Sequence, residues 1–167
     1  MEPRIEVLAP KRLVGVGAPM SLAEDSTPQL WQSLMPRLNE IANRVTREYV
    51  SMRVYDEPGM PVEELFSPAT TFEKWAAVEV SDLDTIPVGL RGYFLSGGLY
   101  AVFTHRGPAS TFPVTMRRIF TEWLPASEYA LDGREHFEVL QEDWKASDPN
   151  GQEQIWIPIR RASRAAS

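Results

Sequence analysis

One carboxylate stands out among the residues that could do chemistry. Glu138 lies in "HFEVL", between Phe137 and Val139, in the most apolar part of a strand-like run. Alternation along a strand puts Phe137 and Val139 on one face and His136, Glu138 and Leu140 on the other. If the second face meets solvent, Glu138 is an ordinary surface charge. If it borders a seam between two packed units, the carboxylate points into a pocket. There it can hold an organic cation by charge and by cation–π attraction from neighbouring aromatics, worth roughly 0.5–2 kcal/mol per ring. Desolvated, the same group could also serve as a general acid or base. Pattern alone leaves both readings open.

The other reactive types are weaker. His105 ends an alternating run just before an Arg-Gly-Pro turn, a setting in which a single histidine is structural. His136 and Glu138 form an H-x-E pair, but the zinc deaminases that use this pattern also need cysteine ligands, and the chain has no cysteine. Two distant histidines make no metal set, so no metal is expected. Ser96 lacks the glycine two positions earlier that a nucleophile elbow requires, since Phe94 stands there. Gly15 and Gly17 lack the third glycine of a dinucleotide fingerprint, and Met20 occupies its place. No cofactor is expected.

The elements that must position Glu138 repeat in two halves, about 1–82 and 89–161, of one domain spanning 1–167. The first half begins with the β-rich "RIEVLAPKRLVGVGAP". A helical spacing of Leu30, Leu34, Leu38 and Ile41 follows, with a break expected at Pro36. A strand "YVSMRVY", a Pro-rich loop "DEPGMPVEELFSPA" and a strand "TTFEKWAAVEV" complete it. The second half has "LRGYFLSGGLYAVFTHRG", with a Gly-Gly interruption read as a bulge or tight turn. Phe112, Met116, Ile119, Phe120 and Trp123 then share one helical face, before the strands "EHFEVLQ" and "QIWIPI". Each half reads as strand, helix, strand, strand. The fold class expected is α+β: two such modules share one antiparallel sheet, both helices pack on it, and the seam between the halves forms the pocket. The end of the chain, 162–167, reads as a frayed basic tail.

Composition narrows the partners. The net charge is −6, and basic residues cluster only at the C-terminal end, so direct DNA binding is not expected. An acidic balance tolerates a cationic small molecule. No apolar run reaches membrane-spanning length and no export signal opens the chain. With the absence of cysteine, this agrees with a cytoplasmic location.

The motifs "SGGLYAVFTHRGP", "TMRRIFTEWLPASEYAL", "HFEVLQED" and "IWIPI", in that order, resemble the gyrase-inhibitor-like family, the effector-binding domain of AraC-type bacterial transcription activators. The first half matches more loosely, through "VYDEP" and the strand around Trp75. The resemblance implies the duplicated fold and a ligand site between the halves. Its pocket glutamate corresponds to Glu138, and its strand aromatics to Trp156 and Trp75. Tyr55, Tyr93 and Phe120 complete the candidate ligand-binding set. It also implies that "YFLSGGLYAVFTH" is the edge of the second module and that His105 is structural. Leu140 replaces a tyrosine common in the family. No helix-turn-helix accompanies these residues, so a stand-alone version is expected. Three functions fit: a binder of hydrophobic, cationic aromatic molecules in sensing or sequestration; a hydrolase of reactive cyclopropane-containing compounds, with Glu138 catalytic; and a protein-interaction module whose partner is unknown.

Overall fold

A computed structural model describes residues 1–162. Apart from Ala162, the expected tail therefore lies outside the described residues. Among the described residues nine strands form: β1 (Arg4–Leu8), β2 (Lys11–Ser21), β3 (Tyr49–Tyr55), β4 (Thr71–Val80), β5 (Arg91–Leu95), β6 (Gly98–Arg106), β7 (Tyr129–Leu131), β8 (His136–Leu140) and β9 (Gln152–Arg161). Helical segments accompany them: α1 (Thr27–Leu34), the single turn α2 (Val62–Leu65) and α3 (Phe112–Arg118). All pairings are antiparallel, in the order β1-β6-β9-β8-β3-β4-β2-β5, with β7 beside the end of β9. The fold is α+β. Among the described residues no helix is long and apolar enough to cross a membrane.

The order is symmetric about the β8–β3 pair. On one side β6, β9 and β8 follow one another, and on the other β2, β4 and β3 do so in mirrored sequence. A helix follows β2 and another follows β6. The first strand of each half crosses over: β1 lies beside β6, and β5 beside β2. The segment from Tyr93 to His105 is therefore not one interrupted edge strand of the second half. It breaks at Ser96-Gly97. β5 is the sheet edge next to the first half, and β6 is interior, between β1 and β9. The cause is backbone geometry. Gly97 has φ +85°, which L side chains rarely adopt, and a Cβ there would come within 2.2 Å of the Leu8 carbonyl oxygen. The two short connectors, β1–β2 and β5–β6, cross at this contact, so the sheet curls until its ends meet.

Curling closes one face of the sheet into a core. Trp75, Met52, Phe137 and Trp156 form a row across four strands, joined by Leu8, Leu13, Leu95 and Tyr100. Phe137 stacks on Trp156 with ring centres 5.3 Å apart. Gly17 opposes Trp75 on the paired strand, and a Cβ there would lie 2.8 Å from the indole, so the glycine admits the ring. The other face carries the helices. α1 packs its Leu30 and Leu34 with Phe72, Ala76 and Val78 of β4. α3 packs Met116 with Phe103, Ile155 and Ile157.

The helices depart from regularity at two places. α1 stops at Leu34 and continues as a 3-10 segment, Met35–Glu40, with Pro36 in its first turn. This is the expected break. After α3 the chain widens into a π-helical segment, Ile119–Trp123, before a last turn, Leu124–Ala126. The widening turns Ile119, Phe120 and Leu124 all inward. In the Pro-rich stretch read as a loop, α2 forms instead, and its Leu65 is buried in the core of the other half. It therefore straddles the seam.

Candidate functional site

β3 and β8 meet at the centre of the sheet, one from each half. Their register pairs Ser51 with Glu138 and Arg53 with His136. β4 continues these rows with Ala76 and Lys74, and β9 adds Ile155 opposite Glu138. All these side chains face the helices. Tyr55 and Glu153 belong to the same face by alternation. Between the two helices, the sheet therefore presents a polar floor in an otherwise apolar layer.

The floor is buried and incompletely paired. Ser51, Lys74, His136, Glu138 and Glu153 are all at most 8% exposed. Among the described residues, the Glu138 carboxylate accepts no hydrogen bond, and no ion pair joins it to Arg53 or Lys74 within 4 Å. The Nε of Arg53 is buried without a partner, while its guanidinium lies 5.2 Å from the centre of the Phe72 ring. Aromatic side chains close over the floor. Tyr55 packs edge-on against His136 at 5.1 Å, Phe120 stacks on His136 at 6.4 Å, and Phe66 meets Phe120 at 5.2 Å.

Burial shapes the ionisation of this cluster. It pushes the Glu153 carboxyl up to about 7; Glu138 adds to the shift and Lys74 opposes it. Burial and the nearby Arg53 bring Lys74 down to about 8, against the pull of Glu138. His136 is driven down to about 3 by burial, then by Arg53 and Arg134, so it is neutral at pH 7. For Arg53, burial disfavours the charge, but Glu138 and Tyr55 outweigh it and raise the pKa. Between pH 6 and pH 8, Glu153 loses its proton and Lys74 begins to lose one. Both changes make the floor more negative. Any cation placed against this floor would thus be held more tightly at pH 8 than at pH 6, by about 1 kcal/mol or roughly fivefold for one added charge nearby. Calorimetric titration of a lipophilic cation at the two pH values checks this.

The six residues singled out in the sequence divide between the faces. Glu138, Tyr55 and Phe120 come together on the helix side, around a small chamber of about 10 Å³ also lined by Arg53, His136 and Leu65. Trp75, Trp156 and Tyr93 do not join them. Trp156 borders the chamber, but its ring packs in the closed core on the opposite face. Trp75 packs on Tyr93 at 5.3 Å, under the guanidinium of Arg91 at 4.6 Å, and Tyr93 donates to Glu135 at 2.7 Å. The register explains the split: Glu138 pairs with Ile155, one position from Trp156, and side chains alternate. His105 lies away from the chamber. Its Nε2 faces the Pro108 carbonyl at 3.3 Å and its Nδ1 faces the Thr115 hydroxyl at 2.7 Å, which ties β6 to α3.

Sequence reading missed Arg53, Lys74 and Glu153. A signal for them exists. Lys74 interrupts the face Phe72, Ala76, Val78, and Glu153 opens the face Ile155, Ile157, Ile159. A charge standing in an apolar alternating face marks a buried polar site.

Above the chamber, between Phe66 and α3, a wider groove of about 440 Å³ opens to solvent. Arg53, Phe66 and Met116 line both spaces and separate them.

Known proteins share this fold. The chain is 28% identical over 136 residues to the transcriptional regulator BrlR of Pseudomonas aeruginosa, covering 81% of this chain and 47% of BrlR. It thus spans about half the length of that relative. A bacterial transcription-regulation protein from Staphylococcus aureus MU50 superposes with TM-score 0.67 at 16% identity, over 96% of this chain and 99% of that one. SAV2435, in a structure bound to tetraphenylphosphonium, superposes with TM-score 0.69 at 15% identity, over 96% of this chain and 94% of that one. At these identities the two structures establish the fold alone. Residues 1–160 match the family described as the GyrI-like small molecule binding domain, and the chain belongs to that family.

Proposed function

We propose that the seam between the halves binds hydrophobic organic cations, with Glu138 as their counter-ion, in a sensing or sequestration role. One observation carries this reading: a buried carboxylate with no hydrogen bond among the described residues, ringed by Tyr55, Phe120 and Phe66. A buried carboxylate that accepts no hydrogen bond is poorly solvated, and Arg53 and Lys74 compensate it only at a distance. A ligand that brings a positive charge and apolar surface offsets that deficit and gains cation–π attraction as well. A structural neighbour that holds tetraphenylphosphonium supports the ligand class, and a relative that is a transcriptional regulator supports the sensing role.

As it stands, the chamber has room for about one water molecule. A ligand must displace its cover. α2 is a single turn, and Leu65 is its only buried residue, so it is the cheapest element to move. Leu65→Ala should lower stability by about 2 kcal/mol, the low end for a buried leucine whose surroundings can collapse. The same change should tighten binding of tetraphenylphosphonium, because less free energy is needed to open the chamber. Thermal melts and calorimetry on the variant test both. Weaker binding in Leu65→Ala would show that Leu65 is a ligand contact and not a plug.

A further inference from the structure

The wider groove has a charge character opposite to that of Glu138. Among the described residues, its charged lining residues are two arginines, Arg53 and Arg117, and no acidic residue lines it. The rest of the lining is mainly apolar, with Leu22, Phe66, Phe112 and Met116 contributing. Arg117 is exposed on α3 and forms no ion pair among the described residues, whereas its neighbour Arg118 pairs with Glu122 at 3.4 Å. Arg53 likewise has no ion pair, and its buried Nε lacks an acceptor. A guanidinium keeps its charge in any such setting and presents several donors in a fixed fork that suits carboxylate, sulfonate and phosphate groups. The volume falls in the range of small-molecule sites.

We propose that this groove is a second ligand site, one that takes lipophilic organic anions, with Arg53 and Arg117 holding the anionic group and the Phe66, Phe112 and Met116 surface holding the apolar body. A small hydrated anion would leave that apolar surface unused. A lipophilic cation would be set against two guanidinium groups. Arg53 stands between the two sites. Beside Glu138 it opposes a cation in the chamber, and toward the groove it attracts an anion. The two sites therefore respond in opposite directions to its removal. Anion binding in the groove does not require Glu138, so it can hold even if the chamber does not bind cations.

Tetraphenylborate and tetraphenylphosphonium share one shape and carry opposite charges, so the pair isolates the charge. Separate calorimetric titrations of each would use the whole chain as wild type, Arg117→Gln, Arg53→Gln and Glu138→Gln. Tetraphenylborate should bind the wild type, weaken about fivefold in Arg117→Gln and at least tenfold in Arg53→Gln, and bind Glu138→Gln no less tightly. Tetraphenylphosphonium should bind Arg53→Gln at least as tightly as wild type. Arg117 is exposed, so its variant remains informative if Arg53→Gln does not fold. No tetraphenylborate binding, or unchanged affinity in Arg117→Gln, would overturn the anion site. Unchanged phosphonium affinity in Glu138→Gln would instead count against the cation chamber and leave the anion site standing.

Discussion

Glu138→Gln should weaken tetraphenylphosphonium binding by about 1–3 kcal/mol, or about 5- to 150-fold, while leaving the fold intact. Glutamine keeps the shape and removes the charge. Because the carboxylate has no hydrogen bond among the described residues, the substitution breaks no native contact of that kind. Stability should change by less than about 1 kcal/mol, for two opposing reasons. Removing a buried charge that accepts no hydrogen bond is favourable. Lys74 and Arg53 lose a nearby counter-charge, which is unfavourable. Glu153 moderates the second effect: Glu138 is one cause of its raised pKa, so in the variant Glu153 ionises more readily and takes over beside Lys74. Calorimetry and thermal melting on one variant read both quantities. A loss of several kcal/mol in stability would mean that Glu138 is a structural charge held by Arg53 and Lys74.

The largest effect on stability is expected at Arg134, just before β8. Its guanidinium donates to the carbonyls of Gly97 at 3.0 Å, Leu99 at 2.5 Å and Ile159 at 3.1 Å, and pairs with Asp132 at 2.7 Å. It also lies 4.8 Å from the centre of the Tyr100 ring. One side chain thus pins the β5–β6 connector, β6 and β9 to the start of the strand that carries Glu138. Arg134→Met keeps the apolar stem and removes every donor, leaving three part-buried carbonyls short of a partner. The expected loss is about 2–4 kcal/mol, or a fall in melting temperature of roughly 5–12 °C for a chain of this size. A change below about 0.5 kcal/mol would show that water replaces the guanidinium at no cost.

Much of the architecture is legible in the sequence because it rests on local periodicity. The strand alternation around Glu138, the apolar stripe from Phe112 to Trp123 and the stop at Pro36 all follow from spacing and backbone chemistry. Long-range pairing is not legible in the same way. Nothing local to Tyr93–His105 says that its two pieces join opposite ends of the sheet; that follows from Gly97 meeting Leu8, residues nearly ninety positions apart. The site divides along the same line. Alternation correctly separates Glu138 from Phe137. Whether Trp156 faces with Glu138 depends on the β8–β9 register, and a shift of one residue moves a side chain to the other face. The charges at Lys74 and Glu153 are visible as interruptions of apolar faces, but only the assembled sheet brings them near Glu138.

The most direct measurement is a crystal structure of the complex with tetraphenylphosphonium. The phosphonium should lie on the helix side of the sheet, against the Glu138 carboxylate and between Tyr55 and Phe120, with α2 displaced from the seam. A phosphonium bound among Trp75, Trp156 and Tyr93 on the opposite face, with the Glu138 chamber still closed, would contradict the cation site proposed here.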